Sequence, residues 1–255
     1  MWISAAAAQA QLITERAGTS QLLIAAAGSL MGANGTFFRS DITIVNYRSD
    51  ADQVVRFQWL PQGVTGTTIT PVDMTLNKLT GFNSEDFVTN VLNQSGLGAI
   101  LVTAVTPNGQ LDVTGKLHAT ARIWSNQPGL SSGTVSQTFP IIAVADINSG
   151  PRLNIVGQRR DDRYRTNLGI VNLDPQAQTF QITVQADSRT ELLNIPVPPL
   201  SMQQVSLTGP AAINLQLAVN NVSSGFQTSR YVIYGSTVDN VTGDSWSSLG
   251  YVVNP

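Results

Sequence analysis

Residues 38–46, Phe-Arg-Ser-Asp-Ile-Thr-Ile-Val-Asn, return in altered form as residues 164–172, Tyr-Arg-Thr-Asn-Leu-Gly-Ile-Val-Asn. Arg39 aligns with Arg165 and Asn46 with Asn172, both pairs 126 residues apart. That period is too long for a solenoid repeat and suits a whole domain. A chain of 255 residues holds two such units, each large enough to bury its own core. The repeat therefore constrains the architecture before any residue chemistry is considered.

Composition narrows the class. Charged residues make up 12% of the chain, about half the usual share. Two lysines, Lys78 and Lys116, stand against twelve arginines, and glutamate occurs three times. Long exposed helices draw heavily on Lys and Glu, so few are expected. A net charge of −2 supplies no footprint for nucleic acid or an anionic membrane. The chain has no cysteine, which removes disulfides, thiolate zinc sites and Cys nucleophiles. Residues 1–10, MWISAAAAQA, end on the A-x-A form of a signal-peptidase site and read as the tail of an export signal, with 1–20 as a signal-peptide remnant or flexible lead. No segment reaches the roughly 18 uninterrupted apolar residues of a membrane span.

Strand signals dominate from residue 21. Phe38, Ile42 and Ile44 alternate with polar residues, as do Val55, Phe57 and Trp59, and later Phe180, Ile182 and Val184. The Pro107-Asn108-Gly109 turn separates two further strands, and residues 84–92 suit one or two helical turns, capped by Ser84 with Glu85 and Asp86 in the first turn. The fold class expected is all-β: two tandem antiparallel β-sandwich domains related by internal duplication, at 21–146 and 147–255. Alternation implies one buried and one wet face per sheet. The prolines of 195–200 place that stretch on an edge or leave it extended without full pairing.

The repeated element also carries a family likeness. Residues 32–41, GANGTFFRSD, with Ile44-Val45-Asn46, resemble the opening of uncharacterised exported β-sandwich modules of acidobacterial type. Residues 164–172 are similar to the companion module, and 238–244, VDNVTGD, to the turn near its end. The likeness implies export and a two-module build. It brings no catalytic residue and no assigned activity.

Catalytic chemistry finds little to work with. The single histidine, His118, shares a polar strand face with Thr120 and Arg122, so a solvent-facing role is expected rather than a base. Asp161 and Asp162 lie among Arg159, Arg160, Arg163 and Arg165, which read either as a solvated loop of ion pairs or as an anion- or partner-binding loop. Asp239, Asn240, Thr242 and Asp244 fall in one turn, a weak calcium candidate that Asx-turn chemistry also explains. Trp59 and Trp124 are expected in the core, and Trp246 as an exposed aromatic suited to a sugar. The repeated Arg39 and Arg165 are expected to bind carbonyls at a sheet end, and Asn46 and Asn172 to begin the following turn. No cofactor is expected.

The role these readings favour is a non-enzymatic exported structural or adhesive protein. The alternative is an accessory carbohydrate- or peptide-binding module of a secreted hydrolase system. Scarce lysine leaves the strand edges unguarded, so association through them is expected, with residues 11–27 as the donor strand.

Overall fold

The computed structural model describes residues 18–32, 35–127, 132–147, 152–186, 189–223 and 229–252. The leader expected at 1–20 falls, up to residue 17, outside them. Strands take 64% of the chain and helix 4%, so the all-β expectation stands. Every ladder between named strands is antiparallel.

The N-terminal half holds β1 (Gln21–Met31), β2 (Phe37–Asn46), β3 (Gln53–Pro61), β4 (Val72–Leu76), β5 (Gly81–Ser84), the one-turn helix α1 (Phe87–Asn90), β6 (Gly96–Val105), β7 (Leu117–Asn126), β8 (Thr134–Thr138) and β9 (Ile141–Ala143). The C-terminal half holds β10 (Arg152–Arg160), β11 (Tyr164–Asn172), β12 (Gln178–Ala186), β13 (Arg189–Val197), β14 (Ser201–Leu207), β15 (Ala212–Asn221), β16 (Tyr231–Asp239), β17 (Ser245–Leu249) and β18 (Tyr251–Val252). In the first half the hydrogen-bonded orders are β4-β3-β6-β1-β9 and β5-β2-β7-β8. In the second they are β13-β12-β15-β10-β18 and β14-β11-β16-β17, the same orders with nine added to each index. One difference is that β1 and β2 also pair at their ends, Leu30 with Phe38, joining the first half's two layers.

Three cores lie between these sheets. One packs Ile42, Ile44 and Ala119 of the β2 layer against Ile24, Phe57, Trp59 and Ile100 of the β1 layer, with Phe87 and Val88 of α1 closing an end. The second repeats this arrangement with Leu168, Ile170 and Ile233 against Ile155, Phe180, Ile182 and Leu217. The third joins the halves: Leu23, Ala25, Ala26, Leu60 and Ala99 meet Val171, Leu173, Met202, Val232 and Tyr234. Backbone bonds cross at the same junction, from Gly63 N–H to the Met202 carbonyl at 3.0 Å and from Gly66 N–H to the Pro199 carbonyl at 3.1 Å.

The third core corrects the expectation of one wet face per sheet. Residues 22–29 of β1 are buried without a break, as are 231–237 of β16, because sheets cover both sides. It also corrects the donor-strand expectation. The apolar run at 22–24 is occupied within its own chain, in the centre of a sheet between β6 and β9. The edge expected around 195–200 is found: β13 ends the five-stranded sheet.

Candidate functional site

The repeated asparagines are the clearest shared device. Asn46 and Asn172 are wholly buried. Asn46 Oδ1 accepts from Arg48 N–H at 3.0 Å, while its Nδ2 donates to the carbonyls of Ala51, Leu76 and Asn77. Asn172 Oδ1 accepts from Asp174 N–H at 3.0 Å, and its Nδ2 donates to Gln176, Val197 and Pro198. Each amide therefore makes the expected Asx-type turn and also ties a second connection to it. A carboxylate there would lack the donor that three carbonyls require.

The repeated arginines do not share a role, and neither binds carbonyls as expected. The Arg39 guanidinium lies 4.6 Å from the Phe37 ring centroid and 5.3 Å from that of Trp124. Trp124 is thus a half-buried partner rather than a core residue, and its Nε1 donates to the Glu85 carbonyl at 3.0 Å. Arg165 instead donates to Asn240 Oδ1 at 2.6 Å, and burial pushes its pKa down.

Of the arginine cluster, the structure gathers two members with Trp246 and separates a third. Tyr164, unremarked in sequence, is the centre. The Arg159 guanidinium lies 4.3 Å from its ring centroid, that of Arg163 lies 5.3 Å away, and Trp246 meets it edge-on at 5.7 Å. Trp246 is exposed, as expected, and its Nε1 donates to the Gly157 carbonyl at 3.1 Å. Arg159 pairs with Asp161 at 2.5 Å, which holds that carboxyl below its ordinary pKa. Arg160 is a correction to both readings of the loop. It is buried, and its guanidinium donates to the Thr208 and Pro210 carbonyls and to Glu191, so it is not open to a ligand.

The calcium candidate resolves into turn chemistry. Asp239 Oδ1 accepts the N–H groups of Val241 and Thr242, and Oδ2 takes the Arg163 guanidinium at 2.8 Å. The backbone donors, first that of Val241, hold this carboxyl below its ordinary pKa. Asp244 accepts Ser245 N–H. Asn240 Oδ1 is occupied by Arg165. A cation would have to displace positive groups already in place. His118 is exposed, with the Tyr47 ring 5.9 Å away. Ser84 does not cap α1; the cap position is Asp86, whose side chain makes no capping bond and instead accepts from Ser29 Oγ at 3.1 Å.

Beside the Tyr164 cluster, at the junction of the halves, opens a crevice of about 280 Å³. Leu30, Phe38, Leu97, Ile123, Val135 and Phe139 form the wall from the first half. Arg165, Asn167, Gln204, Ser236 and Asn240 form the wall from the second. Tyr234 underlies it, edge-on to Phe139 at 5.2 Å, with its hydroxyl donating to Gln204 Oε1 at 2.9 Å. That ring crosses Gly169 so closely that a Cβ there would come within 2.0 Å of it. Sequence inspection had no route to this crevice, since its walls come from separate strands of both halves.

No family model matches the chain, and no curated protein sequence does. The solved structure of Thermotoga maritima 1070 is similar over 41% of this chain and 95% of its own, with 14% identity and a TM-score of 0.35.

Proposed function

We propose that this is a non-enzymatic, exported structural or adhesive protein made of two duplicated β-sandwich modules, residues 21–146 and 147–255, acting within a larger assembly. The observation that carries the reading is the third core, with backbone bonds across it, through which the two halves share buried apolar contacts. Duplication is supported by the nine-strand order, by the paired Asn clamps, and by a bulge at one place in both halves, between Ile24 and Ala27 and between Ile155 and Gln158. Export rests on the likeness to acidobacterial-type modules. The carboxylates of Asp50, Asp73, Asp161 and Asp239 are engaged by guanidinium groups, which favours holding shape over proton transfer. Assembly would proceed through edge strands, of which β13 carries the exposed Leu192 and Leu193.

A broad hydrolase screen on the full chain tests the non-enzyme reading. No turnover is expected; turnover abolished by His118→Ala overturns it. Light scattering at high micromolar concentration tests self-assembly: a mass above 27.2 kDa is expected, and Leu192→Lys should lower it. The second reading, an accessory carbohydrate-binding module, is favoured by the Tyr164–Trp246 pair flanked by Arg159 and Arg163. A glycan array signal lost in Trp246→Ala would select it.

A further inference from the structure

The crevice between the halves has a surplus of hydrogen-bond donors. Gln137, on its rim, gives its Oε1 to the Ser236 hydroxyl at 2.8 Å, while its Nε2 is buried and has no acceptor. The buried amide thus holds an unmade bond of the kind that folded proteins seldom leave open. Among the described residues Arg165 makes no ion pair; its one hydrogen-bond partner is the neutral amide of Asn240. Among the described residues the Asn167 side chain makes no hydrogen bond, and Gln204 uses its oxygen alone, for Tyr234. The one carboxylate on the lining, Asp239, has both oxygens taken by backbone N–H groups and Arg163. Opposite these donors stands an apolar wall. A ligand that completes the site must therefore be rich in acceptors at one end and apolar at the other. A volume of about 280 Å³ limits it to a compact molecule.

We propose that this crevice binds a compact organic monocarboxylate. Arg165 and the amides of Gln137 and Asn167 hold the carboxylate, and the apolar body lies against Phe38, Ile123 and Phe139. A carboxylate meets both requirements, since it accepts several donors and gains a charge-assisted bond from the guanidinium. A neutral sugar would bring hydroxyl donors to a wall that already has too many.

The test is calorimetric titration of the full chain with octanoate, phenylacetate and 3-phenylpropanoate, with phenylacetamide as the uncharged twin of phenylacetate. At least one acid is expected to bind, and phenylacetamide about tenfold or more weaker than phenylacetate where the latter binds. Arg165→Gln should weaken the acid by about 10- to 100-fold with an unchanged melting temperature. Gln137→Leu, which removes the unpaired donor from the other half, should weaken it as well and serves if the first variant does not fold. Equal binding of acid and amide overturns the proposal. So does an acid whose affinity neither variant alters, or the failure of all three acids to bind at about 10 mM.

Discussion

The β2–β7 ladder of the first half and the β11–β16 ladder of the second occupy the same place in their sheet orders, yet one faces outward and the other inward. Thr43 pairs with Thr120 where Gly169 pairs with Tyr234, and His118 takes the place that Val232 holds. The five-stranded sheets show the reverse. Leu60 pairs with Ala99 in the sheet facing the junction, whereas Gln185 pairs with Gln216 in its counterpart. The inward residues of both halves stay apolar, Ile24 opposite Ile100 and Ile155 opposite Leu217. One β framework thus accepts either a wet or a dry outer face. The choice resides in a few alternate side chains, since successive residues of a strand point to opposite sides.

That comparison can be broken by exchanging residues between the halves. Gly169→Thr, which copies Thr43, is expected to destabilise by about 4 kcal/mol, because Tyr234 and the junction must both shift. The opposite exchange, Thr43→Gly, should cost about 1 kcal/mol on its open face. Equal costs in urea unfolding would show that Tyr234 does not set the junction. Next in size, Leu60→Gln should cost about 3 kcal/mol by burying an amide in the third core, while Gln185→Leu stays within about 0.5 kcal/mol. A comparable loss at both sites would mean that the third core adds nothing.

The asparagine clamps sharpen the likeness instead. Asn46→Ala and Asn172→Ala should each cost about 2–3 kcal/mol, since each strands three carbonyls and an N–H. Costs differing by more than about 1.5 kcal/mol would separate the two turns despite their shared geometry.

The smallest expected effect is on pH dependence. Arg48 holds Asp50 down to about pKa 2, Arg56 lowers Asp73, and the Val241 N–H, followed by Arg163, lowers Asp239. A depressed folded pKa gives stability that is complete above the unfolded value near 4, and that is lost as pH falls toward 2. Both halves contribute to that acid limb. The alkaline limb belongs to the second half. Burial pushes Tyr231 up to about 12, so the unfolded chain ionises from about pH 10 while the folded one does not, and stability falls from there upward. Leu117 stands at the matching ladder position in the first half. Urea midpoints across pH should therefore show an alkaline loss that Tyr231→Phe reduces and an acid loss that it leaves alone.

Much of this was legible in the sequence. The alternation at Val55, Phe57 and Trp59 gave a strand with the right inward face, and the repeated Asn46 and Asn172 announced a common turn. What could not be read was which faces meet. A run such as residues 22–27 is apolar on both sides, but periodicity cannot say what covers the second side. Arg160 looked like its neighbours in a charged loop, and only the approach of residues 208–210 from elsewhere in the chain makes it a buried clamp. Trp124 sits in an alternating strand, yet Arg39 reaches it at the sheet's margin rather than in the core. The crevice is lined by Gln137 from one half and Arg165 from the other, a juxtaposition that no local pattern encodes.

The junction also has a direction. A five-stranded face of the first half meets a four-stranded face of the second, so the contact is head-to-tail rather than two-fold. A contact of that kind has no intrinsic stopping point. Each added unit would present a fresh five-stranded face to a further four-stranded one, as monomers add to a growing polymer. The terminal faces carry polar side chains that would stop such growth: Asn154, Gln185 and Gln216 at one end, and Asp41, Thr43 and Arg122 at the other. A handful of apolar exchanges at those positions would remove the stop, and the chain would then grow as a filament with units stacked in a single sense.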